Sequence, residues 1–162
     1  MFSMPLKNGS PAPKSITAWT QASWNDPLYL LSRLGRQCTK MFAEALEDLQ
    51  LKPRHVSVLR YVSLREGASQ RDLVEGLWSD SSSVVSLLDY VTELGLAERR
   101  PNPNDRRAYA LFLTKKGYQV LAEAEQISER VTQNFFSRLS EEQLDQLREL
   151  LQTVTATSPD DV

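Results

Sequence analysis

Cysteine and histidine each occur once in the 162 residues, as Cys38 and His55. A single thiol closes no internal disulfide, so the core must hold the fold, and a reducing, cytoplasmic setting is expected. One imidazole and one thiol make no metal site. The chain has no nucleophile–base constellation, no Walker loop and no Gly-x-Gly-x-x-Gly, so neither an enzyme nor a cofactor is expected. No apolar run approaches the roughly 18 residues of a membrane helix. The opening MFSMPLKNGSPAPKS lacks the basic region and apolar stretch of a secretory signal. An excess of positive charge is missing too. The net charge of −2 excludes a uniformly basic nucleic-acid binder. It leaves room for a local basic patch, because binding depends on where charges sit.

What is present is a composition 41% hydrophobic and 25% charged, that of one globular domain able to bury a core. Residues 1–24 are rich in Pro, Ser, Gly and Thr and read as a flexible N-terminal arm, with Trp19 and Trp24 as candidate anchors. Asn25 or Asp26 can cap a first helix with Pro27 at its first position. Leu31, Leu34, Cys38, Met41, Phe42, Ala45 and Leu49 extend its apolar stripe over about 26–49. Pro53 opens a second helix with Val56, Leu59 and Val62 inward. Ser69 and Asp72 fit a capping box for a short third helix. Trp78-Ser79 makes a turn. Asp80 caps a fourth helix whose stripe is Val84, Leu87, Leu88, Val91 and Leu94, with Gly95 as its terminator.

Leu96–Arg100 and Ala108–Leu113 read as a hairpin around the Pro-Asn-Pro-Asn-Asp turn, with Tyr109, Leu111 and Leu113 on one face. Thr114 caps a fifth helix running to about Leu139, its apolar positions being Leu121, Ala124, Ile127 (or Ser128), Val131 and Phe135. Ser140 and Gln143 form a second capping box for a sixth helix. A polar tail occupies 155–162. The fold class is therefore mainly α with a small β-hairpin wing: a winged helix-turn-helix over about 53–114, flanked by amphipathic helices over about 26–49 and 115–154. Between Ala97 and Lys116, Arg99, Arg100, Arg106, Arg107, Lys115 and Lys116 face only Glu98 and Asp105. Such a cluster supplies phosphate neutralisation, and an arginine at a hairpin tip suits a narrow minor groove. The plainer reading is a solvated charged hairpin.

The stretch LVEGLWSDSSSVVSLLDYVTELGL followed by AERRPNPNDRRAYALFLTKKG resembles the MarR family of bacterial transcriptional regulators. The shared features are Gly95-Leu96, Glu98-Arg99, Asp105-Arg106-Arg107 and Leu113-Thr114-Lys115-Lys116-Gly117. The likeness covers about 25–154. It implies a homodimer joined by N- and C-terminal helices, here with Leu144, Leu147, Leu151 and Val154 in the interface. It implies a fourth helix in the major groove of a pseudo-palindromic operator and a wing in the flanking minor groove. It also implies a repressor released by a small aromatic or phenolic effector.

The fourth helix contains no Lys or Arg, and Ser86 stands where members often carry arginine. The DNA-contacting candidates are Gln70, Ser81, Ser82, Ser83, Val85, Ser86, Arg99, Arg100, Asn104, Asp105, Arg106 and Arg107. Serine hydroxyls can bond to base edges or phosphates, and Val85 can touch a thymine methyl. Asp89 would be repelled by phosphate and is expected to pair with an arginine. Trp24, His55 and Tyr61 are effector-pocket candidates, since amphiphilic aromatics suit an aromatic acid. Arg33, Arg36 and Arg54 could neutralise its carboxylate. Ordinary packing or surface exposure is the alternative for each. Cys38, on an apolar stripe, is expected buried and inert; peroxide-sensing members carry their cysteine earlier, near Leu28. The rival function is a winged-helix protein-interaction module without strong DNA binding.

Overall fold

The computed structural model describes residues 24–77, 79–102 and 105–155, with backbone alone at 102 and 105–108. The expected arm up to residue 23 and the tail from residue 156 lie outside the described residues. The chain divides into two units at Gln37/Cys38, inside the first helix.

Helix α1 spans Pro27–Ala45. Asp26 caps it by accepting the Tyr29 N–H at 3.1 Å, and Pro27 fills the first position, which needs no donor. The helix ends four residues short of the expected boundary. The Leu46 N–H divides between the Phe42 and Ala43 carbonyls, at 3.1 and 3.2 Å, and the chain tightens into a 3₁₀ turn at Glu47–Leu49. Gln50 then adopts a left-handed conformation and reverses the chain.

Helix α2 is Pro53–Leu64, α3 is Gln70–Gly76 and α4 is Ser81–Glu93. Ser69 and Asp72 form the expected reciprocal box, Asp72 N–H to Ser69 Oγ at 3.2 Å and Ser69 N–H to Asp72 Oδ2 at 2.7 Å. Helix α2 buries Val58 and His55 in addition to the expected Val56, Leu59 and Val62. From α4 come Val84, Leu88 and Val91, all fully buried. Leu46, Leu73, Leu96 and Leu111 complete the centre of this core.

Strands β1 (Ala97–Asn102) and β2 (Asp105–Leu113) pair antiparallel from Ala97↔Leu113 to Asn102↔Asp105, with an irregularity at Pro101/Asn102. The hairpin is longer than its apolar residues suggest, because pairing continues past the core. Leu111 and Leu113 are buried, whereas Tyr109, expected on their face, is 60% exposed. Ala68 adds a bridge to Leu111, tying the α2–α3 turn to the wing base.

Helix α5 covers Lys115–Phe135, capped by Thr114 Oγ1, which accepts the Gly117 N–H at 3.0 Å. Gly117 is obligatory by contact: a Cβ there would lie 1.9 Å from the Leu96 carbonyl oxygen. Helix α5 stops at Phe135, and single-turn bonds carry the chain to Leu139. Arg60 of α2 clamps α5 through Glu125, at 2.5 and 2.7 Å. Ser140 and Gln143 cap α6, Glu141–Thr155, as their spacing predicts.

Candidate nucleic-acid interface

Helix α4 presents Ser81, Ser82, Ser86 and Asp89 to solvent opposite its buried stripe, with Ser83 and Val85 half-covered. Asp80 organises the start of this face. Its carboxylate accepts from Ser82 Oγ at 2.5 Å, Ser83 Oγ at 2.6 Å and Ser83 N–H at 2.8 Å. Those three donors hold it far below the usual carboxylate range, so it is ionised and both hydroxyls must donate to it. Ser86 Oγ in turn donates to the Ser82 carbonyl at 3.1 Å. The hydroxyl protons of Ser82, Ser83 and Ser86 are thereby engaged within the helix and its cap. What the three serines offer outward is lone pairs. In this arrangement the outward lone pairs suit amino groups on base edges.

The arginines of β1 are also engaged. Arg99 donates to Asp89 at 2.6 Å, the pairing expected for that acid, and so fastens the wing to α4. Arg100 pairs with Glu98 and lies over the Phe112 ring at 4.4 Å. Lys116 Nζ donates to the Leu94 carbonyl at 2.8 Å, closing the end of α4. Asn104 lies outside the described residues, and of Asp105, Arg106 and Arg107 only the strand backbone is described. Gln70 sits half-covered at the start of α3.

The effector-pocket candidates differ in burial. His55 is buried; its Nδ1 accepts the Lys52 backbone N–H at 3.0 Å and its ring stacks on Tyr90 at 4.4 Å. Accepting through Nδ1 requires the neutral ring, and burial, followed by the Lys52 charge, lowers its pKa accordingly. Tyr61 packs where a Cβ on Gly76 would lie 2.0 Å from its ring, and its hydroxyl accepts from Arg65. Trp24 is 56% exposed beside Tyr29, and Arg33 is exposed; both belong to the first unit. Arg36 bonds to Ser32 at 2.6 Å. Cys38, expected buried, is only partly covered.

Sequence reasoning missed a cleft of about 540 Å³ between the start of α2 and α4, lined by Lys52, Arg54, His55, Ser82, Ser83, Ser86, Leu87 and Tyr90. Its cations flank Pro53 in the sequence, a signal that was present. Their apposition to the α4 serines was not legible. Among the described residues no group of His, Cys, Asp and Glu could hold a metal, and no helix is long and apolar enough to cross a membrane.

A helix-turn-helix followed at once by a two-stranded wing defines a winged helix-turn-helix protein. The comparisons narrow this. The MarR family model matches residues 49–108. A transcriptional regulatory protein for the hcr operon of Thauera aromatica is 31% identical over 135 residues, covering 82% of this chain and 81% of that one. The transcriptional regulator HosA of Escherichia coli O111:H- is 30% identical over 127 residues, covering 78% and 93%. CouR from Rhodococcus jostii RHA1, solved bound to p-coumaroyl-CoA, superposes with a TM-score of 0.74 at 29% identity, covering 85% of this chain and 97% of that one. A MarR mutant from E. coli complexed with operator DNA shares the fold, with a TM-score of 0.71 at 24% identity and coverage of 78% and 91%. The chain belongs to the MarR family and is a transcriptional regulator of that type, not an enzyme.

Proposed function

We propose that the protein is a cytoplasmic repressor that binds a pseudo-palindromic operator as a homodimer and is released by a small aromatic or phenolic effector. The observation that carries this reading is the exposed serine face of α4, held in place by a fully buried stripe and braced against the wing by Arg99–Asp89. In this reading α4 enters the major groove, where the serine lone pairs meet amino groups of adenine or cytosine. Arg106 or Arg107 enters the flanking minor groove. Arg99 and Arg100 fix the hairpin rather than reach for phosphate. The dimer would use the apolar face of α6, through half-covered Leu144 and Leu147 and exposed Leu151 and Val154. The phenolic acyl thioester held by CouR supports an aromatic effector, which acts only through its preference for the DNA-incompetent state.

Binding titrations at several salt concentrations test it. Arg107→Ala should cost about 1–3 kcal/mol of DNA affinity, the range of a good arginine contact. Parental binding by both Arg106→Ala and Arg107→Ala at every salt concentration would remove the wing as an anchor. The absence of cations from α4 favours one second reading, a dimeric protein-interaction module. Retained dimerisation without salt-dependent DNA binding would establish that instead.

A further inference from the structure

The cations nearest α4 are not equivalent. Arg99 and Arg100 are paired with Asp89 and Glu98, and Lys116 is engaged by a carbonyl at the helix end. Lys52 and Arg54, both exposed, pair with no carboxylate among the described residues, and no acid lines the cleft they share. Arg54 Nη2 donates to Ser79 Oγ at 2.9 Å. That neutral partner orients the guanidinium next to the α4 cap without cancelling its charge. Nor do the serine hydroxyls across the cleft compete for the role of donor, since their protons are committed within the helix. The lining thus supplies two positive charges and no carboxylate of its own; the Asp80 carboxylate at the α4 cap is engaged by Ser82 and Ser83.

We infer that this cleft seats a backbone phosphate of the DNA, making Lys52 and Arg54 a second electrostatic anchor for the recognition helix. The inference rests on the DNA-binding reading above and adds to it. A helix with its side chains is about 10–12 Å across and the major groove about 12 Å wide, so a docked helix brings the bordering phosphates against whatever flanks it. Ser82 and Ser86 belong both to the outward face of α4 and to the cleft wall. A strand bordering the groove therefore passes the cleft mouth. Lys52 contributes a point charge there, and Arg54 a fork suited to two phosphate oxygens.

The test uses the full chain with Lys52→Gln, Arg54→Gln and the charge-preserving Arg54→Lys. Each is titrated with a short duplex selected by the protein from a randomised pool and with a scrambled duplex, across a salt series. Both glutamine variants should weaken the two duplexes by the same factor. Each should also flatten the slope of log affinity against log salt by about one unit for every phosphate no longer neutralised. Arg54→Lys should restore the slope. Lys52→Gln guards against misfolding: the Lys52 backbone N–H that His55 accepts remains, and its thermal unfolding should match the parent's. Parental slopes in both glutamine variants would overturn the inference while leaving the DNA-binding reading standing. Failure of the parent to retain any duplex would remove that reading and this inference with it. If inorganic phosphate raised the melting temperature of the parent but not of the variants, and the slopes stayed parental, the cleft would be a seat for a free anion instead.

Discussion

Helices α4 and α6 carry the same kind of pattern and meet different fates. Both alternate an apolar stripe with polar residues at helical spacing. In α4, Val84, Leu88 and Val91 disappear completely into the core, and the polar face opposite is left to solvent. In α6 no residue is buried, with Leu150 65% and Val154 78% exposed. Periodicity says that a face will be covered but not by which molecule. The chain completes α4 by itself, whereas α6 leaves apolar side chains open, the face assigned to a second copy in the dimer proposed above.

The contrast breaks most visibly if α6 is removed. Ending the chain at Leu139 should abolish the dimer and operator binding together, measured by sedimentation and by titration. A full-length protein that sediments as a monomer at micromolar concentration would mean the α6 face is simply solvated. Within α4, Leu88→Ala should lower unfolding stability by about 2–5 kcal/mol in urea melts, because the cavity lies in a fully enclosed site. A cost well under about 1 kcal/mol would show that the stripe is less enclosed than α4 requires.

On the opposite face, Ser82→Ala should cost about 0.5–1.5 kcal/mol of operator affinity, the range of one neutral hydrogen bond. Sequence preference should change more than affinity, since in the proposed docking the lost group is an acceptor facing base edges. Equal preference in parent and variant would place Ser82 off the bases.

The smallest effect concerns the edge where α4 meets α2. His55 has a depressed pKa in the fold, so the unfolded chain binds its proton more readily. Its contribution to stability is complete above 6.5, its ordinary value, and is lost as pH falls below that toward the folded-state value. His55→Gln keeps an acceptor for the Lys52 N–H and should remove this part of the pH dependence. An unchanged profile of urea midpoints over the same pH range would show that another group titrates there.

Much of the fold was legible because its punctuation is local. Pro27 and Pro53 act through their own fixed backbone angle, and Asp26, Ser69 with Asp72, Asp80, Thr114 and Ser140 with Gln143 act through partners three residues away; each stands where its chemistry predicts. The family motifs lie in that same contiguous stretch, so the winged helix-turn-helix was readable too. The wing pairs beyond its apolar residues because backbone hydrogen bonds ignore side-chain type, which hid its length. The ends of α1 and α5 shifted because tightened turns at Leu46 and Phe136 leave little mark in composition.

What only the tertiary structure decided are relations across distance in sequence. Arg99 meets Asp89 ten residues back, and Arg54 meets Ser79 twenty-five residues on. His55 lies against Tyr90, which makes it a buried neutral ring in the wall of the cleft between α2 and α4. Lys52 and Arg54 share a cleft with Ser82 and Ser86 only because α2 and α4 pack together through Val56, Leu59, Val84 and Leu88 in one core. Residue type by itself determined which groups carry charge, which stop helices and which avoid water. Which charges remain available for a partner depended on which neighbours packing brought within hydrogen-bonding reach, because a charge already paired inside the fold has less to offer another molecule.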